Sequence, residues 1–146
     1  MLLEHKADVN SKDDGGQTAL HRAANKNRAV IQLLLEHKAD IDSKENDGQT
    51  AIDLAVKNEH DAVARLLLEH GAQLNSTTAY NLGILHKNKN NLEEAGAMFK
   101  KALTGFEEML GLYHKSTLDV VNQLGILYRE KGRLKDAEAV YSTHGH

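Results

Sequence analysis

Apolar residues in the first half of the chain recur in two short blocks per unit, each at helical spacing. Ala19, Leu20, Ala23 and Ala24 mark one short helix, and Val30, Ile31, Leu33, Leu34 and Leu35 mark a second. Ile52, Leu54, Ala55 and Val56 are followed in the same way by Val63, Ala64, Leu66, Leu67 and Leu68. The apolar surface of these helices is wider than one stripe, so they must pack on neighbours at two sides. Asp13-Asp14-Gly15-Gly16 and Glu45-Asn46-Asp47-Gly48 are turn signals with glycine available for positive φ. Thr18 and Thr50 stand where N-caps belong. In the second half, Leu82, Gly83, Ala95, Phe99 and Ala102 recur in part as Leu124, Gly125, Ala137 and Tyr141. That spacing predicts helix pairs in which Gly83 meets Ala95, and Gly125 meets Ala137, at the crossing. Glycine inside a helix costs about 1 kcal/mol against alanine, so its recurrence needs a packing reason. Asn91 with Glu94, and Ser116 with Asp119, predict helix starts.

Self-comparison converts these blocks into repeats. Leu2-Leu3-Glu4-His5-Lys6-Ala7-Asp8-Val9-Asn10 returns at an offset of 32 as Leu34 to Asp42, and 33 residues later as Leu67 to Asn75. Gly16-Gln17-Thr18-Ala19-Leu20-His21 returns as Gly48-Gln49-Thr50-Ala51-Ile52-Asp53. After about residue 76 the period becomes 42: Asn81 to Leu85 matches Gln123 to Leu127, and Asn91 to Phe99 matches Arg133 to Tyr141. Two arrays therefore stand in series, with domains expected at 1–76 and 77–146.

The G-x-T-A-L-H and L-L-L-E-H-x-A-D-V-N strings of residues 1–76 resemble the ankyrin repeat, as one partial and two complete units. Proline after the threonine is replaced by Ala19 or Ala51, the motif histidine His21 becomes Asp53, and the glycine usual between the helices is Asn27 or Glu59. Residues 77–141 resemble tetratricopeptide repeats, two of them. The spacer Gly111-Leu112-Tyr113-His114-Lys115-Ser116-Thr117-Leu118 looks like the kinesin-light-chain type, while His86 replaces a usual tyrosine. The expected fold class is all-α, an ankyrin array followed by a tetratricopeptide array in one helical solenoid.

Composition removes several chemistries. Cysteine is absent, which excludes disulfides, thiolate catalysis and cysteine-based zinc sites, and proline is absent too. Net charge is −3, divided as −4 over residues 1–76 and +1 beyond, too mild to favour nucleic acid. No signal peptide or apolar run near the roughly 20 residues of a membrane span is visible, so no membrane association is expected. An intracellular location follows, cytoplasmic before nuclear, and the Asn75-Ser76-Thr77 sequon reads as a loop.

His5, His37 and His70 form a column, one per unit. Stacked units would separate them by about 10 Å, too far for one zinc ion, and a position beside a helix C-terminus suits a surface role. His144-Gly145-His146 reads as a disordered tail. Glu93-Glu94 and Glu107-Glu108 read as solvated faces, and Lys100-Lys101 and Lys131-Gly132-Arg133 as isolated basic spots without aromatic partners. No phosphate loop, nucleophile elbow or zinc-helix motif occurs. No catalytic residue, cofactor or metal is expected.

The remaining candidate is surface. The resemblance implies a protein or peptide partner on a concave face. In the first array that face would carry the turn tips Asp14, Gln17, Asn46, Asp47 and Gln49 with Arg22, Asn25, Lys26, Lys57 and Asn58. In the second it would carry Tyr80, Asn81, Ile84, Lys87, Asn122, Gln123, Ile126 and Arg129. The expected function is a non-catalytic interaction scaffold or adaptor. The alternative is a sensor fragment of a larger nucleotide-switching signalling protein. Incomplete end units lead us to expect fraying at both ends and self-association through uncapped faces.

Overall fold

The structure, a computed structural model, describes residues 8–24 and 28–143. These hold eight α-helices and no strand: α1 (Ala19–Ala23), α2 (Arg28–Glu36), α3 (Ala51–Lys57), α4 (Asp61–Glu69), α5 (Ser76–Asn88), α6 (Leu92–Leu110), α7 (Lys115–Glu130) and α8 (Leu134–Thr143). The fold is an all-α helical repeat array. The chain divides into two compact units, Met1–Leu74 and Asn75–His146. Among the described residues no helix is long and apolar enough to cross a membrane. The expected helix beginning at Leu2-Leu3, and the histidine tail, lie outside the described residues.

In the first unit the short helices α1 and α3 start at the predicted caps. The Thr18 and Thr50 hydroxyls accept from the N–H groups of His21 and Asp53, whose side chains accept in return from the cap N–H groups. Each is a reciprocal capping box that satisfies two otherwise orphaned donors. α1 packs on α2 and α3, α3 on α4, and α2 on α4. Leu20, Ile31, Ile52, Ala55, Ala64 and Leu67 are almost wholly buried between them. The alanines let these short helices approach closely.

Helix ends share one device. After α2, Lys38 is in the left-handed region (φ 67°), Ala39 N–H donates to Leu34 O (3.0 Å) and Lys38 N–H to Leu35 O (3.1 Å). This is a Schellman ending, which satisfies two terminal carbonyls. It recurs after α3 at Glu59, after α4 at Gly71, after α5 at Asn90 and after α7 at Gly132.

The second unit is built by α5 on α6, α6 on α7 and α7 on α8. Its core gathers Ala79, Ala95, Phe99, Ala102, Val120, Leu124, Leu127, Tyr128 and Ala137. The helical glycines do pack closely, but against rings. A Cβ on Gly83 would lie 2.6 Å from the Phe99 ring, and one on Gly125 would lie 2.2 Å from that of Tyr141. The predicted neighbours Ala95 and Ala137 are not the nearest atoms. One helix start differs from the predicted Ser116, and the predicted start at Asn91 agrees in position but not in its cap bond. α7 is capped by His114, whose Nδ1 accepts from Ser116 N–H (3.1 Å), and Asn91 sits at the N-cap of α6 without a side-chain cap bond. Asn75, read as part of a loop, caps α5 by accepting from Thr78 N–H (2.7 Å).

Candidate protein-interaction surface

In the first unit each turn is closed by an acidic side chain. Asp13 Oδ1 accepts from the N–H groups of Gly15 and Gln17, both at 2.9 Å. Thirty-two residues on, Glu45 Oε1 accepts from Asp47 (2.8 Å) and Gln49 (3.1 Å). Gly16 and Gly48 complete the turns at φ 79°. Asp13 also receives the Arg22 guanidinium. That hydrogen bond, with the Gln17 and Gly15 N–H groups, holds its carboxyl below the ordinary range despite some desolvation.

Within the first unit the motif histidine joins one repeat to the next. His21 is buried, its Nδ1 accepts from Thr18 N–H (3.1 Å), and its Nε2–H donates to Gln49 O (2.9 Å). A carbonyl cannot donate, so this contact fixes the proton on Nε2. Asp53, its equivalent, keeps the capping half of the role, Oδ2 accepting from Thr50 N–H at 3.0 Å. A second ladder runs through the A-D-V-N strings: Asp40 N–H donates to Asn10 Oδ1 (2.7 Å) and Gln73 N–H to Asp42 Oδ1 (2.9 Å).

Among the candidates of this unit, Asp14, Arg22, Asn46, Asp47, Lys57 and Asn58 are exposed, and Gln17 and Gln49 half-buried. Asn25 and Lys26 lie outside the described residues. Asn58 is the C-cap of α3, and its Nδ2 donates to Leu54 O (2.9 Å). Arg22 is engaged with Asp13, so part of the polar surface holds the fold together.

In the second unit, α5 and α7 bring candidates from both repeats together. Lys87 Nζ donates to Gln123 Oε1 (2.9 Å), and the Gln123 side chain also bonds the Tyr80 phenol. Partial burial pushes that phenol up, and the nearby Asp119 carboxylate adds to the shift. Tyr80 and Ile84 are half-buried against the core, and the Tyr80 ring lies 5.9 Å from that of Phe99. Ile126 is half-buried, while Asn81, Asn122 and Arg129 are exposed.

Sequence reasoning missed a cationic cluster behind this face. Lys100 Nζ and the Arg133 guanidinium lie 5.9 and 5.0 Å from the centre of the Tyr128 ring, so the basic spots do have an aromatic neighbour. Residues 28 and 33 positions apart meet there only because α6 and α7 pack. Tyr128 is buried, so its ring offers no open platform for stacking a base. Lys131 pairs with Glu93 and holds that carboxyl below its ordinary range. Glu94 Oε2 lies 3.5 Å from the buried His86 Nδ1. Glu93 is thus engaged in an ion pair with the end of α7, and Glu94 faces His86 of α5.

The described members of the histidine column serve helix ends. His37 Nδ1 donates to Leu33 O (2.9 Å) and His70 Nδ1 to Leu66 O (3.0 Å). His5 lies outside the described residues. No group of three or more metal-ligating side chains occurs among the described residues.

Two family profiles match the chain. One, described as ankyrin repeats (3 copies), covers residues 1–78. The other, described as a tetratricopeptide repeat, covers residues 74–143 and does not distinguish the kinesin-light-chain type. No curated protein matches.

Proposed function

The chain belongs to the ankyrin-repeat family over residues 1–78 and continues as tetratricopeptide repeat over 74–143, both protein–protein interaction modules, and from that premise we propose a non-catalytic adaptor that binds a peptide or protein surface. The observation that carries the finer reading is the face shared by α5 and α7. Gln123 bonds Lys87 and Tyr80 there, and Tyr80 and Ile84 pack on the core, which supports a face of apolar and polar groups ordered together. Side chains already ordered lose little entropy when a partner docks. The exposed turn tips, with Lys57 and Asn58 at the end of α3, are the second polar surface we assign to the partner on the ankyrin unit. In an adaptor of this kind the buried histidine and the paired acids keep structural roles.

The experiment is capture of partners by the intact chain, read by mass spectrometry, beside Asn81→Lys, Lys87→Glu and Arg129→Glu variants. A protein retained by the parent and lost by these variants, with melting unchanged, supports the reading. Turnover of a substrate by the isolated chain, or identical capture by all variants, overturns it.

A further inference from the structure

The first unit contains one worked example of a turn binding a turn. Asn46 N–H donates to Gly15 O (2.9 Å), and Asn46 Nδ2 donates to Asp14 O (2.9 Å). Lys12 Nζ donates to Lys44 O (3.0 Å), and His21 Nε2 to Gln49 O (2.9 Å). The fit is tight: a Cβ on Gly16 would lie 2.4 Å from Asn46 Oδ1. Thirty-two residues on, the same surface is open. The positions equivalent to Asp14, Gly15 and Gly16 are Asn46, Asp47 and Gly48, all exposed, and a Cβ on Gly48 would meet nothing within 4 Å. No described residue donates to the carbonyls of Asn46 or Asp47. At the register where a third turn would begin, the chain enters α5.

We propose that the Asn46–Gly48 edge is a docking site for a turn or strand edge of another protein that presents a backbone N–H beside an asparagine or glutamine side-chain amide. The internal contact states the chemistry, because the two carbonyls on this edge are the equivalents of those that Asn46 itself binds. The edge is also short of donors, since Asp53 stands where the preceding repeat has the donating His21. Stacking of a second copy through its first turn is disfavoured. The residue equivalent to Asn46 there is Asp14, and a carboxylate cannot donate to a carbonyl. The proposal rests on the adaptor reading only in taking a protein as the partner.

The test is an NMR titration of the isotope-labelled full chain with a cyclised peptide of residues 43–50, which carries the Asn46 donors. Saturable shifts are expected at the amides of Asp47 and Gly48, which follow the accepting carbonyls. A cyclised peptide of residues 11–18, with aspartate in the key place, should bind at least about five-fold more weakly, the equivalent of one lost hydrogen bond. Absent shifts at residues 46–49, equal response to the two peptides, or shifts centred elsewhere overturn the proposal. Asn46→Asp in the full chain supplies an independent measure. It should lower the urea midpoint, and an unchanged midpoint would mean the amide contact carries no energy and the proposal fails. If the capture variants lose their partner while the peptides give no shift, the edge falls and the adaptor stands. If the shifts appear while capture is unaffected by those variants, the edge stands and the concave-face reading falls.

Discussion

Lys38, Glu59 and Asn90 hold left-handed backbone at helix ends, where Gly71 and Gly132 do the same work without a Cβ. A long side chain is strained there, and asparagine less so. Lys38→Gly and Glu59→Gly should each raise stability by about 0.5–1 kcal/mol, read as a higher urea midpoint at unchanged slope. An unchanged or lower midpoint in both would show that these turns relax at no cost. Glu59 was legible as a departure, since it stands in the motif's usual glycine position, whereas the need at Lys38 emerges only from its alignment with Gly71. Acid should act through Asp13. Its carboxyl is held low in the folded chain by Arg22 and two N–H groups, so the stability it lends is present above the ordinary aspartate range. That stability declines as pH falls through that range towards the lowered folded value. Asp13→Asn should therefore be less stable than the parent at pH 7, with the difference shrinking on acidification below about pH 4. A difference constant from pH 7 to about pH 2.5 would remove Asp13 from the acid response.

Helices and their crossings were legible where periodicity is local, and blurred where one side chain chooses among several partners. The offset of 42 exposed Gly83 and Gly125 as special, but it could not show that each faces a ring sixteen residues on rather than the alanine twelve residues on. Helix starts were legible at Thr18 and Thr50, where the hydroxyl and the residue three positions later form a reciprocal pair. One was missed at His114, an unusual cap: Ser116, the expected cap, lies inside α7 and donates its N–H to His114 Nδ1. The two glycines are not equal. Phe99 is fully buried and has nowhere to move, whereas Tyr141 is half-buried and meets Gly125 with the far end of its ring. Gly83→Ala should cost about 1–3 kcal/mol and Gly125→Ala distinctly less. Equal costs by denaturant melts, or a larger cost at Gly125, would mean that α8 is held against α7 as rigidly as α6 is against α5.

At the scale of the whole molecule the sequence revealed the two arrays because each unit repeats its neighbour at fixed spacing. It did not reveal which polar residues face outward, because that depends on contacts within and between repeats. Arg22 turns to Asp13, Lys87 to Gln123, and Asn46 to the preceding turn, so these candidate binding residues also bind their own chain. The same division between buried and open surface predicts hydrogen exchange. Near-zero exposures in the first unit are densest in α3 and α4, at Ala51, Ile52, Ala55, Ala64 and Leu67, against Ile31 in α2, and in the second they include Leu82, Phe99, Leu124 and Leu127. Amides of α3, α4, α5, α7 and the first half of α6 should therefore exchange slowest. The last turn of α6 should differ. Met109 is 76% exposed and Tyr113 67%, with Leu110 and Leu112 also open, and α6 ends at Gly111 without the Schellman bonds that close the other described helix ends named above. Amides 108–110 should exchange orders of magnitude faster than those of Leu124 to Tyr128 in dilute solution, since their opening exposes almost no further apolar surface. Met109→Lys and Tyr113→Lys should change stability by less than about 0.5 kcal/mol for the same reason. Protection at 108–110 that rises with protein concentration, and disappears in those two variants, would identify this tip as the surface through which copies associate. Equal protection at every concentration would show instead that α6 is closed at its end by contacts within the chain, against the exposure on which the prediction rests.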